Sequence, residues 1–403
     1  MRSTADDPAD PRIASGAAWD ALVAALGRAR ERVRGDGAPD APRDRAEGFQ
    51  YLLRFLASGI ALCVEHADPD HPSFVRMVDF DRRWGLDCPD CLYLYATVRG
   101  DAAYRVFGRR GTANHLDLQV NWGHFANGSI AEWGTSASIA KDDLACDADG
   151  TFELRLGGPE RPRNWLPLAP NAEFVLLRQY FDDWDREAPG DFAIERVGAP
   201  VSAAPLRSDD LAARLALLVR WLERGDRLWE QMSRGLLGMP ENSLVVHLPA
   251  NAGERAGLRG QAYGMGNFAC GPDEAVVVSF APPACRHWSV SLADYWWQSL
   301  DYATRQSSLN GAQTALDPDG VARIVVAHAD PGVPNWLDTA GHARGSLVAR
   351  FLLADAEPKV ALARVPLARM RDHLHPSTPE IAPDARAASL RRRRDAVWRR
   401  FRV

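Results

Sequence analysis

Residues 115 to 122 place four hydrogen-bonding side chains in one row of a predicted strand. Strict alternation puts the apolar residues and Trp122 on the opposite face. The polar row consists of His115, Asp117, Gln119 and Asn121. Such a row is either a solvated face or the polar wall of a ligand groove. In a groove, Asp117 would act as general acid or base with His115 as its proton partner, and Gln119 and Asn121 would bind substrate.

The densest aromatic stretch, residues 287 to 308, carries a second set of candidate residues. Asp294 falls on the face that Trp288 and Trp296 also occupy, so this carboxylate has to be paired or keep a raised pKa. Arg305 is the available partner, and it could instead clamp an anionic substrate. Aromatic walls beside a few ionisable groups are the composition of a small-molecule site. The predicted walls are Trp122, Trp288, Trp296, Trp297 and Tyr302.

These residues lead to two functional hypotheses of different classes. The first is an enzyme that acts on an apolar or ring-shaped small molecule, such as a terpenoid, steroid, polyketide or glycoside, by acid–base hydrolysis, elimination or isomerisation. Asp117 or Asp294 would be the acid or base and Arg305 the anion clamp. The second is a non-catalytic sandwich that binds a carbohydrate or lipid on its aromatic platforms. Exchange of both carboxylates for amides separates the two, because binding would survive and turnover would not.

Covalent serine catalysis and cofactor redox chemistry are disfavoured by missing motifs. The sequence has no Gly-x-Ser-x-Gly elbow. The run Gly264-Met-Gly266-Asn-Phe-Ala269 fits a dinucleotide pattern, but a strand follows where a phosphate-binding helix should begin. We therefore predict no cofactor.

Three clusters of metal-binding residue types are interpreted as structural turns. Asp182, Asp183 and Asp185 are similar to a magnesium-binding aspartate box, and a magnesium-dependent enzyme of prenyl diphosphates is the third hypothesis. This stretch, however, follows a β run and precedes Pro189-Gly190, which is typical of an exposed acidic turn. Turn chemistry also explains residues 65 to 72, and Cys88-Pro-Asp-Cys91 lacks the second pair that a zinc site needs. We predict no metal site, with magnesium as the alternative.

The elements that must position these residues are organised as a duplication. An Asp-x-Asp-Gly turn, an Asn-Trp-Leu motif and an apolar run ending in Arg occur at 147–178 and again at 317–350. The turn and the Asn-Trp pair are 17 residues apart in the first copy and 18 in the second. Each copy predicts a hairpin, a Trp corner and a return strand. The predicted fold class is mainly β with helical additions (α+β), built from two antiparallel β-sandwich or jelly-roll-like units.

Helical patterns surround the two β units. We predict a helical N-terminal region over residues 1–86, a first β unit over 87–200, a helical connector over 201–240, a second β unit over 241–366 and a basic C-terminal helix over 367–403. The N-terminal region has a helix with Trp19, Leu22 and Val33 on its apolar stripe, then a second that opens at Asp44 with Glu47 as a capping box. The arginines of the C-terminal helix are expected to form a solvated face.

Composition narrows the partners and the compartment. A net charge of -5 and a pI near 6.1 give no global field for nucleic acid or an anionic membrane. No run approaches the roughly 18 apolar residues of a membrane span. Six cysteines in so long a chain suit a reducing compartment. We expect a soluble, cytoplasmic protein with a small-molecule substrate, no nucleic-acid partner and no membrane span, and a homo-oligomer is left open.

The second copy resembles a bacterial family. Its residues Trp288-Ser289-Val290, Arg305-x-Ser307 and Pro331-Gly-Val-Pro-Asn335-Trp336-Leu337-Asp338 are similar to domain-of-unknown-function family 1214, often paired with sister family 1254. The first copy, with Asn164-Trp165-Leu166-Pro167, resembles the region that precedes this domain. The resemblance implies a jelly-roll-like β-sandwich and no assigned mechanism. The family usually has Asn-Arg-Tyr-Ser where this chain has Thr304-Arg305-Gln306-Ser307, which puts any role of that Asn or Tyr in doubt.

Overall fold

The computed structural model describes residues 9–247 and 260–402. Residues 1–8, 248–259 and 403 lie outside the described residues, so the predicted domains 1–86, 241–366 and 367–403 are covered only in part. The domain boundaries remain predictions.

Helices precede, separate and follow the β units, as the apolar periodicity predicted. The described α-helices are α1 Pro11–Ala14, α2 Ala17–Arg34, α3 Pro42–Ile60, α4 Ser208–Arg220, α5 Asp226–Leu237 and α6 Pro383–Phe401. A π-helical turn, Ala61–Glu65, extends α3, and another, Trp221–Gly225, joins α4 to α5. Short 3₁₀ turns lie at Phe125–Asn127 and Leu367–His373.

The first unit is a pair of sheets. Its strands are β1 Val75–Arg76, β2 Cys91–Thr97, β3 Tyr104–Arg109, β4 His115–Gly123, β5 Trp133–Ala140, β6 Thr151–Leu156, β7 Trp165–Leu166, β8 Ala172–Tyr180 and β9 Asp191–Arg196. Sheet A has the order β1-β2-β8-β4-β5 and sheet B the order β7-β6-β3-β9. One apolar core, with Val120 and Val175 from sheet A and Leu154 from sheet B, lies between them. The unit is therefore a sandwich.

The second unit repeats this topology strand for strand. Its strands are β10 Leu244–His247, β11 Gln261–Ala269, β12 Glu274–Phe280, β13 His287–Ala293, β14 Ser308–Asn310, β15 Ala322–Ala327, β16 Trp336–Asp338, β17 Arg344–Leu352 and β18 Ala361–Pro366. Sheet C has the order β10-β11-β17-β13-β14 and sheet D the order β16-β15-β12-β18. Adding nine to each strand number of the first unit gives the second, so the predicted duplication is confirmed.

The Asn of each Asn-Trp motif makes the same hydrogen bonds in both units. Asn164 Nδ2 donates to Ala145 O at 2.8 Å and to Glu153 O at 2.9 Å. Asn335 Nδ2 donates to Ala315 O at 2.7 Å and to Arg323 O at 3.1 Å. In each unit, the Asn amide oxygen also accepts a backbone N–H at 2.9 Å. The Asn side chain thus links the loop before the Asp-x-Asp-Gly turn to the strand after it, which explains why both copies have an Asn at this position.

Sheets A and C face each other, and α2 to α5 cover one end of the contact between them. The aromatic cluster there includes Phe55 of α3, Trp221 of the π-helical turn, Trp229 of α5 and Phe174 of sheet A. The polar row of β4 is buried at this contact, with Asp117 3% and Gln119 1% exposed. The strand alternation was predicted, but a solvated face is wrong because the second unit covers sheet A.

Two predictions about the N-terminal helices are wrong in detail. Leu22 and Val33 are buried as predicted, but Trp19 is 62% exposed. Small residues such as Ala25 and Ala29 complete the buried stripe because α2 packs closely on α4. Helix α3 begins at Pro42 with no side-chain cap. The carboxylates of Asp44 and Glu47 instead lie near the His342 ring, so no capping box forms.

The arginine-rich face of α6 is partly buried, contrary to the prediction. Arg386, Arg393 and Arg400 recur at every seventh position and lie against the two units. Arg393 lies 4.4 Å from the ring centroid of Trp184, and Arg386 lies 5.2 Å from that of Trp336. A planar guanidinium can stack on an aromatic ring and still donate hydrogen bonds, which makes this burial tolerable.

Candidate functional site

A cavity of about 190 Å³ lies between sheets A and C. Its walls come from both units and from the loops and helices that cover the contact. The residues that line it include Trp84, Asp87, Tyr93, Ile130, Arg178, Tyr180, Trp229, Gln261, Tyr263, Trp297 and Arg350. Ile130 is 53% exposed, so the cavity reaches the surface beside this residue.

Two arginines at equivalent positions of the duplication point into the cavity. Arg178 of β8 pairs with Tyr93 of β2, and Arg350 of β17 pairs with Tyr263 of β11. All four side chains line the cavity. Each unit therefore contributes one Tyr–Arg pair, and the two pairs meet because sheets A and C are face to face.

The two guanidinium groups are buried, and no carboxylate among the described residues forms an ion pair with either of them. Arg178 Nη1 donates to Gln119 Oε1 at 2.5 Å. Arg350 donates to Ser291 Oγ at 3.3 Å and to Leu86 O at 2.5 Å. Within residues 9–247 and 260–402, neither arginine forms an ion pair with Asp or Glu, although Asp117 and Asp87 influence them at longer range. Because a guanidinium has five N–H donors, each retains donors for a ligand.

Neutral hydrogen-bonding groups complete the polar wall. The hydroxyl of Tyr180 donates to Gln261 Oε1 at 3.0 Å, which links the two units. Burial raises the pKa of Tyr93 and of Tyr180 well above the ordinary value, so both phenols stay protonated. Asp87 accepts from the backbone N–H of Ser299 at 3.0 Å and from its hydroxyl at 2.7 Å, and burial raises the pKa of this carboxyl.

Indole rings form the apolar side of the cavity. The ring centroids of Trp229 and Trp297 are 5.7 Å apart, and those of Trp84 and Trp229 are 5.9 Å apart. Trp297 has a positive φ of 61°, and its carbonyl accepts from the backbone N–H of Leu86 at 2.7 Å. The site thus combines an arginine-rich wall with an aromatic wall.

Of the predicted site residues, Trp297 lines the cavity. Gln119 lies directly behind Arg178, and Asp117 is paired with Arg178 in the strand register. His115 lies near Tyr180, with ring centroids 6.3 Å apart, and burial lowers the pKa of His115 to about 4. Asn121 bonds Thr135 on the neighbouring strand.

The other predicted residues lie away from the cavity. Asp294 bonds the backbone and side chain of Gln298, and burial raises its pKa to about 6. The expected Asp294–Arg305 pair is wrong, because Arg305 binds Asp338 at 2.7 Å. The four aromatic residues outside the cavity are Trp122 near Gly134, Trp288 against Phe280, Trp296 against Tyr51 and Tyr302 against Trp184. Their proposed roles in binding or catalysis stay predictions.

The three aspartates of the suggested magnesium box interact with three different partners. Asp182 bonds the His287 ring, Asp183 accepts from backbone groups of its own turn, and Asp185 lies 3.3 Å from an Arg399 nitrogen. The hypothesis of a prenyl-diphosphate enzyme stays a prediction.

Sequence reasoning missed the two cavity arginines. Arg178 and Arg350 end the matching apolar runs of the two copies, and this shared position was the available signal. A charged residue at the end of an apolar strand is unusual, and its occurrence at the same position in both copies could have indicated a shared site. Their spatial meeting could not be inferred from either copy alone.

The fold and the cavity define a class of protein in which two duplicated β-sandwiches enclose a small-molecule-sized site. Residues 275–356 match the model of a protein family of unknown function, DUF1214. An uncharacterized protein from Burkholderia cenocepacia, known from a crystal structure, is 31% identical, with a TM-score of 0.84 over 89% of this chain and 99% of that chain. The protein belongs to the DUF1214 family. The family match does not include the first unit, whose resemblance to family 1254 stays a prediction.

Two further comparisons add no functional information. A crystal structure of a Vibrio parahaemolyticus protein is 13% identical, with a TM-score of 0.44 over 78% of this chain and 98% of that chain. No curated protein matches the chain. In the described residues, no helix is both long and apolar enough to cross a membrane.

Proposed function

We propose that the protein binds a small organic anion, a carboxylate with a single-ring apolar body, in the cavity between its two units. The observation that carries this proposal is the pair of equivalent arginines, Arg178 and Arg350, which face one cavity and form no ion pair with a carboxylate in the described part of the chain. The carboxylate would accept hydrogen bonds from both guanidinium groups, and the indoles would contact the ring.

Charge supports an anionic ligand. A buried charge is costly unless it is paired, and two like charges in one cavity repel each other. Among the described residues, the hydrogen-bond acceptors of these two arginines are neutral groups: an amide oxygen, a hydroxyl and a backbone carbonyl. A bound carboxylate offers two oxygens in the geometry that a guanidinium fork matches. A bound carboxylate would therefore compensate part of the positive charge of the two guanidinium groups.

Size supports a single ring. A cavity of about 150 Å³ lined by apolar side chains holds benzene. The volume of about 190 Å³ leaves room for one carboxylate beyond such a ring. The proposal therefore narrows the substrate classes that the sequence left open to molecules with a single ring.

The second candidate function is acid–base catalysis on the same bound molecule, and Asp87 is the observation that favours it. This carboxyl lies at the cavity wall with a pKa raised by burial, which is the property of a general acid or base. Asp117 and Asp294, the acids predicted from the sequence, do not line the cavity. Asp87→Asn should retain ligand binding and abolish turnover if the protein is an enzyme.

We also propose a cytoplasmic location and a role in small-molecule metabolism. All six cysteines are free thiols, which supports a reducing compartment. The homo-oligomer left open by the sequence stays a prediction.

The experiment is a calorimetric titration with a panel of monocyclic carboxylates, beginning with benzoate, with methyl benzoate and inorganic phosphate in parallel. We expect at least one carboxylate to bind and its uncharged ester to bind at least ten times more weakly. The double variant Arg178→Gln/Arg350→Gln should lose binding. Circular dichroism would verify that this variant folds.

Arg105→Gln is the matched control, because Arg105 lies on a strand of sheet B and pairs with Glu153 and Glu195 at the surface. It should bind like the wild type. The proposal is overturned if no carboxylate of the panel binds, if the ester binds as tightly as the acid, or if the folded double variant keeps its affinity.

A further inference from the structure

Four ionisable side chains converge behind the cavity, at the contact between the two units. Cys88 and Asp90 immediately precede β2, Asp182 follows β8, and His287 begins β13. The sulfur of Cys88, a carboxylate oxygen of Asp90 and a ring nitrogen of His287 all lie within 4.8 Å of one another. All three of these residues are buried, with Asp90 fully so. None of them belongs to the cavity lining.

The two nitrogens of His287 have different surroundings. Nδ1 is hydrogen-bonded to Asp182 Oδ1. Nε2 points at Asp90 Oδ2 at 3.8 Å, which is too far for a hydrogen bond. Neither Nε2 nor Oδ2 has a hydrogen-bond partner among the described residues, and both atoms are buried. Unpaired buried polar atoms are rare, so this arrangement requires an explanation.

The other oxygen of Asp90 is held firmly. Asp90 Oδ1 accepts from Trp184 Nε1 at 2.9 Å and from Asn310 Nδ2 at 2.7 Å. These two donors fix the carboxylate so that Oδ2 faces His287 and Cys88. The unpaired oxygen is thus oriented by its surroundings.

We propose that Cys88, Asp90 and His287 form a buried site for a divalent transition metal of the zinc class, with Asp182 orienting the imidazole. Thiolate, imidazole and carboxylate are the ligands that zinc takes in proteins. A metal-bound histidine typically donates its other N–H to a carboxylate, which is the relation between His287 and Asp182. The proposed metal site uses none of the residues that line the anion cavity, although the backbone N–H of Cys88 donates to the hydroxyl of the cavity residue Tyr93 at 3.3 Å.

The three ligand atoms would have to move together slightly to bind such an ion, since they are known to lie within 4.8 Å of one another. Zinc bonds of about 2.0–2.3 Å in tetrahedral geometry place the ligand atoms roughly 3.3–3.8 Å apart. The observed separation of His287 Nε2 and Asp90 Oδ2 is 3.8 Å. With three protein ligands, the fourth position would be taken by a water molecule or hydroxide. An ion there would cross-link the two units, because His287 alone comes from the second.

The competing explanation is an imidazolium ion between two carboxylates. Burial alone would lower the pKa of His287, but Asp182 and Asp90, together with Cys88, raise it to about 10. The protonated ring would still leave Nε2 and Asp90 Oδ2 beyond hydrogen-bond distance. A metal ion satisfies both atoms and the Cys88 sulfur together, which is why we favour it.

Another group, Asp44, Glu47 and His342, has the same residue types without the sulfur. Its two carboxylates are partly exposed, and Glu47 approaches His342 Nε2 at 3.2 Å. A histidine with carboxylates beside both nitrogens is already paired there. This group therefore supplies a comparison for the test.

The test is a titration of chelator-treated protein with Zn²⁺ and with Co²⁺. We expect one metal ion per chain by elemental analysis and a thiolate-to-cobalt charge-transfer band in the absorption spectrum. Cys88→Ser should abolish that band, and His287→Gln should weaken Zn²⁺ binding by at least a factor of ten. Asp182→Asn should keep the band and bind Zn²⁺ about 10–100-fold more weakly, as expected of a residue that orients a ligand.

Three matched controls should behave like the wild type. Cys91→Ser removes the neighbouring cysteine, His115→Gln removes the equivalent histidine of the first unit, and His342→Gln removes the histidine of the comparison group. The proposal is overturned if the wild type binds no stoichiometric metal, if the folded Cys88→Ser variant keeps the thiolate band, or if a control abolishes binding while His287→Gln does not. Loss of carboxylate binding in the arginine variants would leave metal binding unchanged, so the two proposals fail separately.

Discussion

The two β units share one strand order but differ at a pair of equivalent histidines. In the strand register, Asp117 lies opposite Arg178 and Ser289 lies opposite Arg350, so His115 and His287 occupy matching positions. Burial lowers the pKa of His115 to about 4. His287 instead has Asp182 at Nδ1 and Asp90 beyond Nε2. The same place in the fold therefore holds a neutral ring in one unit and a carboxylate-bound ring in the other.

This difference contrasts with the Tyr–Arg pairs, which both units retain. Tyr93 with Arg178 and Tyr263 with Arg350 meet at one cavity and contribute to it from opposite sides. Residues that both units retain and that face each other can form one shared site. Equivalent residues whose neighbours differ between the units can form a site in one unit only. The proposed anion cavity belongs to the first kind and the proposed metal site to the second.

The strongest test of the shared site compares the single variants Arg178→Gln and Arg350→Gln. Removal of one partner from a buried hydrogen-bonded charge pair costs about 2–5 kcal/mol. We expect each variant to lower the affinity for the bound carboxylate by a factor of roughly 30 or more at 25 °C, and by similar amounts, measured by calorimetry. A large loss in one variant with none in the other would show that the carboxylate binds to one unit and does not bridge the two.

The low pKa of His115 predicts how the free energy of unfolding changes at acidic pH. His115 has a folded pKa of about 4, below the ordinary value of 6.5, so the unfolded chain takes up the proton first as the pH falls. As the pH falls from 6.5 to 4, protonation of His115 in the unfolded chain therefore lowers the free energy of unfolding progressively, by at most about 3 kcal/mol. His115→Gln should remove this loss, measured as the free energy of unfolding in urea at several pH values. The prediction is contradicted if the variant and the wild type lose the same free energy of unfolding between pH 6.5 and pH 4.

The Asn-Trp motifs test whether the units are equally stable where their hydrogen bonds match. Asn164→Ala and Asn335→Ala each leave partly buried backbone groups without a partner. We expect each substitution to lower the free energy of unfolding by about 1–3 kcal/mol, with the two values within about 1 kcal/mol of each other. Thermal denaturation measures both. Strongly unequal losses would contradict the structural equivalence of the two corners.

The sequence predicted these local features because neighbouring residues determine them. The Asp-x-Asp-Gly turns, the Asn corners and the alternation of β4 follow from turn chemistry and strand periodicity. The strand alternation did not reveal what covers the polar row of β4, since sheet C, which is distant in sequence, does so. Likewise, Cys88-Pro-Asp-Cys91 is interpreted as a turn because no second pair of ligands lies nearby in the sequence, whereas the proposed ligand His287 is in the other unit.

The C-terminal helix shows a different limit of sequence reasoning. A run of arginines is typical of a solvated face, yet Arg386 binds Asp330 and Gln306 while it stacks near Trp336. The seven-residue spacing of Arg386, Arg393 and Arg400 was the available signal. It places the three side chains along one face of α6, and only the arrangement of both units shows that this face is covered.

The smallest predicted difference between the units concerns the Trp of each motif. Trp336 is 7% exposed and its Nε1 donates to Ala327 O at 3.0 Å, whereas the half-buried Trp165 donates to Gly157 O at 3.1 Å. Replacement by Phe keeps an aromatic ring and removes the donor. Trp336→Phe should lower the free energy of unfolding by about 1 kcal/mol and Trp165→Phe by less than about 0.5 kcal/mol, because water can reach the Gly157 carbonyl. Thermal denaturation of the two variants measures the difference, and equal losses would mean that the two carbonyls are equally shielded from water.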